Sequence, residues 1–166
     1  TAVRLKAGFI LAKYDTTANK WVYATEFTAP TTEDNFYTVA DDKWGDKSAA
    51  AKISTFTNSA LYFKPEKATV YALIEVDAPD GYDSTLLVTK YFTYEEAPKN
   101  LPSTKVDGGT LRSDDVIYLN SGSALNIKNR KNISISASKQ WADGNSADRP
   151  ESVRFTLYRS TQKTDD

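Results

Sequence analysis

The chain contains 166 residues, in which 21 lysines and arginines nearly balance 22 aspartates and glutamates, so the formal net charge at pH 7 is −1. Because this balance gives no positive field, the sequence excludes nucleic acid and an anionic membrane surface as partners. No apolar run approaches the roughly 20 residues of a membrane-spanning helix, which predicts no membrane insertion in this segment.

The absence of histidine and cysteine narrows the chemistry of the chain. These residues are the usual ligands of zinc and copper, and they form the Ser-His and Cys-His pairs of many hydrolases. Without cysteine, the chain also has no disulfide bonds. We therefore expect no enzyme, no metal site and no cofactor, while an apolar fraction of 40% is sufficient for a hydrophobic core.

Short runs of β-branched and aromatic residues, separated by polar turn clusters, predict β-strands along most of the chain. In chain order the predicted strands are 8–14, 21–27, 54–56, 61–63, 69–76, 86–94, 116–119, 125–128, 133–139 and 153–158. Residues 46–52 form either a short helix or a loop, because their helix propensity is fair but they lack an apolar face. Strands spaced this closely predict an all-β fold, an antiparallel β-sandwich.

Two polar stretches separate the predicted strands into groups. Residues 98–115 are rich in Pro, Gly, Ser, Asp and Lys and predict a long excursion between two strands. At residues 129–132 a polar hinge precedes a new strand pattern, so we place a domain boundary between 1–131 and 132–166. The second part has two predicted strands, too few for independent stability, and we interpret it as the opening segment of a second domain. Since the chain has no methionine and begins with threonine, we interpret both of its ends as cuts.

Three short sequence patterns in the chain occur together in one protein family. Residues 73–82, LIEVDAPDGY, follow the pattern L-x-E-x-x-A-P-x-G-Y. Residues 6–11, KAGFIL, are similar to the strand L-x-G-A-x-F-x-L with Gly and Ala exchanged, and KQWADG at 139–144 is followed by RPESV at 149–153. These patterns resemble CnaB-type (SpaA-like) domains of Gram-positive pilins and surface adhesins. The resemblance implies an inverse-immunoglobulin-like sandwich lacking its first strand, a truncated second CnaB-like domain, and an extracellular, cell-wall-anchored surface protein.

The resemblance also implies an intramolecular isopeptide bond between a lysine and an asparagine, formed with the help of a buried acid. A lysine attacks a carboxamide only as the neutral amine, and burial disfavours the charged ammonium form. Burial likewise favours a protonated glutamic acid, which can polarise the amide carbonyl and shuttle protons while ammonia leaves. The reaction happens once, during maturation, and no turnover follows.

The resemblance places the catalytic acid at Glu75 and the bond-forming asparagine of the first domain at Asn129. Period-two alternation puts Leu125, Ile127 and Asn129 on one face, so Asn129 lies at the inward end of the last predicted strand of its domain. The alternatives are ordinary ones. Glu75 is then a partly exposed strand carboxylate, and Asn129 is a turn residue before the hinge.

Lysines complete the predicted chemistry. Alternation places Ile133, Ile135, Ala137 and Lys139 on one face, and the K-x-W pattern resembles the site of the family's reactive lysine, so Lys139 is the predicted isopeptide-forming lysine of the second domain. The alternative is that its amine reaches water along the side-chain stem. The resemblance places the lysine of the first domain well upstream of the strand that begins near Ala7, and Lys6 is too close to that strand. We therefore expect that lysine upstream of residue 1 or elsewhere in the parent chain, and no isopeptide mass loss in this fragment.

The expected function is a structural stalk segment, whose partners are neighbouring domains or subunits of the same surface protein. An alternative is an adhesive module, whose aromatic-bearing insertions bind a host extracellular-matrix protein or a glycan. Exposure of the aromatic set on one face would favour adhesion, and burial would favour a spacer; the set is Trp21, Tyr23, Phe36, Tyr37 and Trp44. A glycan-active enzyme would need paired carboxylates in an open cleft, and the sequence offers no pair with a distinctive motif.

Overall fold

A computed structural model describes residues 6–33, 36–56, 62–132, 136–140, 150 and 152–156. The chain forms two compact units, Thr1–Asn132 and Ile133–Asp166. The strands of the described residues are β1 (Lys6–Asp15), β2 (Lys20–Ala24), β3 (Trp44–Gly45), β4 (Ile53–Phe56), β5 (Tyr71–Asp77), β6 (Thr89–Tyr94) and β7 (Val116–Leu119). Within the same ranges, helix is limited to the 3-10 turns Lys47–Ala49 and Ser113–Asp115, so the all-β prediction is confirmed.

The seven strands form one mixed sheet in the order β3-β2-β1-β5-β6-β7, with β4 paired to β1. The long strand β1 pairs with β4 through its first half, with β2 through its second half, and with β5 along its other edge. These pairs and the β2–β3 and β5–β6 pairs are antiparallel, whereas β6–β7 is parallel. The predicted antiparallel pairing is therefore wrong for β6–β7. A parallel pair requires a long crossover connection, and residues 95–115 supply it.

The inner face is the side of the sheet that carries Phe9, Leu11 and Tyr71. Alternate residues of β1 and β5 point to this side, because successive side chains of a strand point to opposite faces. The buried residues of the inner face are Ala7, Phe9, Leu11, Ala24, Ile53, Tyr71 and Phe92. Partly buried residues from the connecting segments cover them, and these include Phe27, Tyr37, Val39, Phe63, Leu125 and Ile127.

The outer face, on the opposite side of the sheet, has a hydrophobic core of its own. The buried residues of this core are Ile10, Ala12, Tyr23, Val70, Ala72, Tyr91 and Leu111. The excursion 98–115 covers it and is fixed there by two hydrogen bonds. The indole N–H of Trp21 donates to the carbonyl oxygen of Thr104 at 2.9 Å, and the backbone N–H of Val106 donates to the hydroxyl of Tyr91 at 3.2 Å. The excursion, which the sequence left without a role, therefore closes the outer face.

Residues 46–52, predicted as a short helix or a loop, contain the 3-10 turn. Two predicted strands of the first unit differ from the structure. Residues 125–128 belong to no strand in the described part of the chain. Residue 61 lies outside the described residues, and Phe63 forms an isolated bridge with Tyr37. Residues of these segments pack on the cores without forming ladders, among them Ala50, Phe63, Leu125 and Ile127.

The second unit is described over short segments. Residues 136–140 and 152–156 contain no strand, and the remaining parts of the predicted strands 133–139 and 153–158 lie outside the described residues. Across all of the described ranges, no helix has the length and apolar character that crossing a membrane requires.

Candidate functional site

Glu75 is a buried carboxylate on the inner face. It lies on β5 opposite Phe9 of β1, and only 2% of its surface is exposed. Its Oε2 accepts a hydrogen bond from the backbone N–H of Val88 at 3.1 Å, and its own backbone N–H donates to the carbonyl oxygen of Val88 at 2.9 Å. Its Oε1 is buried and has no hydrogen-bond partner within the part of the chain that the structure describes. The alternative of a partly exposed strand carboxylate is therefore wrong.

Asn129 ends a stretch of chain that alternates between core and solvent. Leu125 and Ile127 are partly buried and pack on the inner face, while Asn126 and Lys128 between them are exposed. Asn129 continues this alternation, since it is half-buried. Its side-chain Oδ1 is buried and lacks a hydrogen-bond partner among the described residues. The alternation predicted from the sequence is present, although the stretch is not a ladder strand.

Glu75 and Asn129 each follow, by two residues, a side chain that packs on the same cluster of the inner face. Leu73 of β5 and Ile127 both pack against the buried cluster that contains Phe9. Glu75 is on the same face of β5 as Leu73, because successive side chains of a strand alternate. Asn129 is not in a strand, but it continues the alternating burial of residues 125–128. A buried polar atom without a partner costs about 1–3 kcal/mol. We therefore take Glu75 and Asn129 as the candidate site.

A lysine occupies the other end of the inner face. The Nζ of Lys13 lies 2.8 Å from Oε1 of Glu66 and 4.5 Å from the ring centroid of Trp44, and the Lys13 side chain is 16% exposed. In the pairing of β1 with β5, Lys13 lies opposite Tyr71, four positions along β1 from the residue opposite Glu75. At about 3.3 Å per residue this separation is roughly 13 Å. Lys13 is therefore held by its own carboxylate, away from the candidate site.

Lys139, the lysine predicted for the second unit, lies on an exposed segment. All of residues 136–140 are exposed, and Lys139 is among them. The inward orientation that alternation predicted for Lys139 is therefore not seen. The four residues 136–139 do not form a strand, so the period-two rule has no ladder to act on. The role of Lys139 in an isopeptide bond stays a prediction.

Most of the aromatic residues that would mark an adhesive surface are packed into the two cores. Those that are buried or half-buried against a core are Trp21, Tyr23, Tyr37 and Trp44. Phe36 is 42% exposed and makes an edge-to-face contact with Tyr62, which is 52% exposed, at 6.2 Å between ring centroids. By the criterion set from the sequence, this burial favours a spacer.

Neither metal-ligand geometry nor similarity to known proteins adds to this site. Among the described residues, no group of three or more acidic side chains is arranged to hold a metal ion. No family model, no curated protein and no solved structure matches the chain. The geometry of Glu75 and Asn129 therefore carries the functional argument.

Proposed function

We propose that this chain is a stalk segment of a Gram-positive cell-surface pilin or adhesin, of the type stabilised by intramolecular Lys-Asn isopeptide bonds. Its partners are then neighbouring domains or subunits of the same extracellular, cell-wall-anchored protein. The observation that supports the proposal is that Oε1 of Glu75 and Oδ1 of Asn129 are both buried and have no hydrogen-bond partner among the described residues. Formation of an isopeptide bond requires a lysine amine, a carboxamide for the amine to attack, and a carboxyl group to transfer the proton.

The proposed reaction joins a lysine to Asn129 with Glu75 as the acid. A neutral lysine amine attacks Cγ of Asn129, so that a bond forms from Nζ to Cγ and the bond from Cγ to Nδ2 breaks. Glu75 relays one proton from the attacking nitrogen to the leaving nitrogen, which departs as ammonia. A protonated Oε1 of Glu75 donates to Oδ1 of Asn129 as charge develops on that oxygen. The same hydrogen bond satisfies both of the oxygens that lack partners.

The first unit fits a spacer because both sides of its sheet are covered. The inner face is covered by connecting segments, and the outer face is covered by the excursion 98–115. A rigid shaft requires closed cores rather than an open binding groove. The aromatic side chains contribute to these cores, where each buries a large apolar area.

The adhesive module is the second candidate, and one observation favours it. Phe36 and Tyr62 form an exposed aromatic pair in the connecting segments, where binding residues are often found. The double variant Phe36→Ala/Tyr62→Ala separates the two functions. A spacer keeps its stability and its cross-link in this variant, whereas an adhesive module loses binding to a panel of matrix proteins and glycans.

The decisive experiment is intact mass and peptide mapping of the natural polypeptide that contains this sequence. Each bond lowers the mass by about 17 Da, the mass of the ammonia that is expelled. We expect a peptide in which Asn129 is joined to a lysine, and we expect this peptide to be absent from Glu75→Gln and Asn129→Ala. The control is Asn126→Ala, which changes an exposed asparagine of the same stretch and should retain the cross-link. Recovery of Asn129 in an unmodified linear peptide of the wild type would rule out the proposed bond.

A further inference from the structure

A tight turn follows β5 immediately after the strand that carries Glu75. The backbone N–H of Tyr82 donates to the carbonyl oxygen of Pro79 at 3.0 Å, which closes the turn. Gly81 has a φ of 82°, in the left-handed region that favours glycine. The turn reverses the chain, so residues 81–83 come back beside the end of the candidate site.

Residues 81–83 pair there with residues 130–132, and we call this pairing the exit clip. The backbone N–H of Asp83 donates to the carbonyl oxygen of Arg130 at 2.8 Å, and the backbone N–H of Asn132 donates to that of Gly81, also at 2.8 Å. Tyr82 and Lys131 form an antiparallel bridge between these two bonds. A side chain adds a further bond, since Nδ2 of Asn132 donates to the carbonyl oxygen of Tyr82 at 3.1 Å.

We propose that Asn132 is a positioning residue that holds Asn129 beside Glu75 through the register of the exit clip. The inference rests on the proposed function, because it assigns Asn132 a part in the same reaction. Asn129 is the residue immediately before the clip, and Glu75 is on the strand that leads into the turn. The clip therefore connects the segment that carries Asn129 to the turn that follows the strand of Glu75.

The clip must fix the register of the segment that carries Asn129, because a slip of one residue turns every side chain of an extended segment to the opposite side. The stretch before the clip belongs to no ladder in the described part of the chain, so the sheet does not set its register. The clip is short, and its backbone bonds could re-form after a shift. The Asn132 side chain donates a hydrogen bond that depends on residue identity, and this bond favours the register in which the Asn129 amide points inward.

The polar residues 129–132, which the sequence predicts to be a hinge, therefore also take part in a specific contact. A hinge residue that was only flexible would donate no side-chain hydrogen bond back to the first unit. Asn132 makes this bond to the turn that follows β5, and the bond lies within the first unit.

The test compares Asn132→Asp with Asn126→Ala in the natural polypeptide that contains this sequence. Aspartate has the shape of asparagine but lacks the Nδ2 donor, whereas Asn126 is exposed on the same stretch. Loss of one such hydrogen bond changes the equilibrium constant for forming the clip roughly fivefold. We therefore expect the bond at Asn129 to form roughly fivefold more slowly in Asn132→Asp and at the wild-type rate in Asn126→Ala. Asn132→Ala, which introduces no charge, should behave as Asn132→Asp does.

A second readout separates failure of this inference from failure of the proposed function. In the 166-residue chain, amide hydrogen exchange at Asp83 reports the clip, and the NMR signals of the Asn129 side-chain amide report its position. We expect Asn132→Asp to speed exchange at Asp83 and to shift the Asn129 signals, with Asn126→Ala doing neither. If the wild type forms no bond but these signals respond, the proposed function fails and the positioning role stands. Unchanged Asn129 signals, or an unchanged rate of bond formation, would overturn the positioning role.

Discussion

Tyr71 offers the sharpest test of how the inner face is held together. Its ring stacks on Phe92 with 5.3 Å between centroids and an interplanar angle of 17°, and it meets Phe63 edge-to-face at 5.7 Å. Only 1% of the residue is exposed. Its hydroxyl oxygen accepts a hydrogen bond from the backbone N–H of Glu66 at 2.9 Å. The residue therefore contributes both aromatic packing and a partner for a loop amide.

Replacing Tyr71 with phenylalanine removes the hydrogen bond and keeps the ring. The N–H of Glu66 is then left without its acceptor, which destabilises the fold by about 1–2 kcal/mol. With a urea dependence of about 1–3 kcal/mol per molar, the midpoint of unfolding should fall by about 0.3–2 M. The matched control is Tyr62→Phe, which removes a hydroxyl from a half-exposed tyrosine and should change stability by less than about 0.5 kcal/mol.

The same variant has a distinct effect at alkaline pH. Burial raises the pKa of Tyr71 far above its ordinary value of 10.0, and smaller increases at Tyr23 and Tyr91 have the same first cause. Above about pH 10 the unfolded chain loses these protons while the folded chain keeps them, so the free energy of unfolding falls as the pH rises. Below pH 10 the contribution is fully present.

Urea titrations followed by tryptophan fluorescence at pH 7 and pH 11 measure both effects. Wild type should lose stability between the two pH values, and Tyr71→Phe should lose less, because the buried Tyr71 hydroxyl no longer contributes to the loss. Equal midpoints for Tyr71→Phe and wild type at pH 7, together with equal alkaline losses, would refute this account of the inner face.

Three further predictions concern other parts of the chain. A Cβ at Gly8 would lie 2.6 Å from Oδ2 of Asp77, a half-exposed carboxylate that can turn away from its ion pair with Lys52, so Gly8→Ala should lower stability by at most about 1 kcal/mol in chemical denaturation, and by less in an Asp77→Ala background. Hydrogen bonds from the backbone N–H groups of Ala18 and Thr17 hold the pKa of Asp15 below its usual value, so an NMR titration should show this carboxylate becoming protonated at an unusually low pH. Asp15→Ala should lose less stability than wild type as the pH falls through that pKa. Titration of Asp15 at the usual pKa would contradict this prediction. The isolated 166-residue chain should keep the full mass of its sequence, since Lys13 is held far from Glu75, and a deficit of about 17 Da would identify a lysine partner within it.

The strands that the sequence predicted best are those in which alternation and composition agree. β1 and β5 are long and rich in apolar and β-branched residues, and their predicted bounds differ from the observed ones by one or two residues. β3 was missed because Trp44–Gly45 is too short to show a period. The parallel β6–β7 pair was also missed, since the direction of a pair depends on the path of a long connection that no local pattern records.

The cover over the outer face shows why long-range packing is hard to read from sequence. The excursion 98–115 was interpreted from its Pro and Gly content alone. Val106 and Leu111 are isolated apolar residues in that polar stretch, and they were the available signal that it lies on a core. The contact partners, among them Tyr91 and Trp21, are distant in sequence, so no local window contains both sides of the contact.

The sequence predicted which residues form the candidate site, but it did not predict their hydrogen-bond partners. Glu75 was located from its sequence pattern and Asn129 from alternation, and both have a buried oxygen without a partner among the described residues. The bond from Val88 to Glu75 was not anticipated, because it joins β5 to the segment that leads into β6. Asn132 was interpreted as part of a hinge, since its side-chain bond depends on a turn some fifty residues earlier.

The buried oxygens of Glu75 and Asn129 destabilise the fold, and this cost is the strongest reason to propose a chemical role for the two residues. Each unpartnered buried oxygen costs about 1–3 kcal/mol, against a net stability of about 5–15 kcal/mol for a typical domain. Replacing buried polar partners with apolar groups of similar shape is nearly neutral or stabilising, so packing alone does not favour a carboxyl and a carboxamide at this place. Positions where local stability is given up are those expected at functional sites. Glu75 and Asn129 both meet this condition, which is why we propose them as the reacting groups.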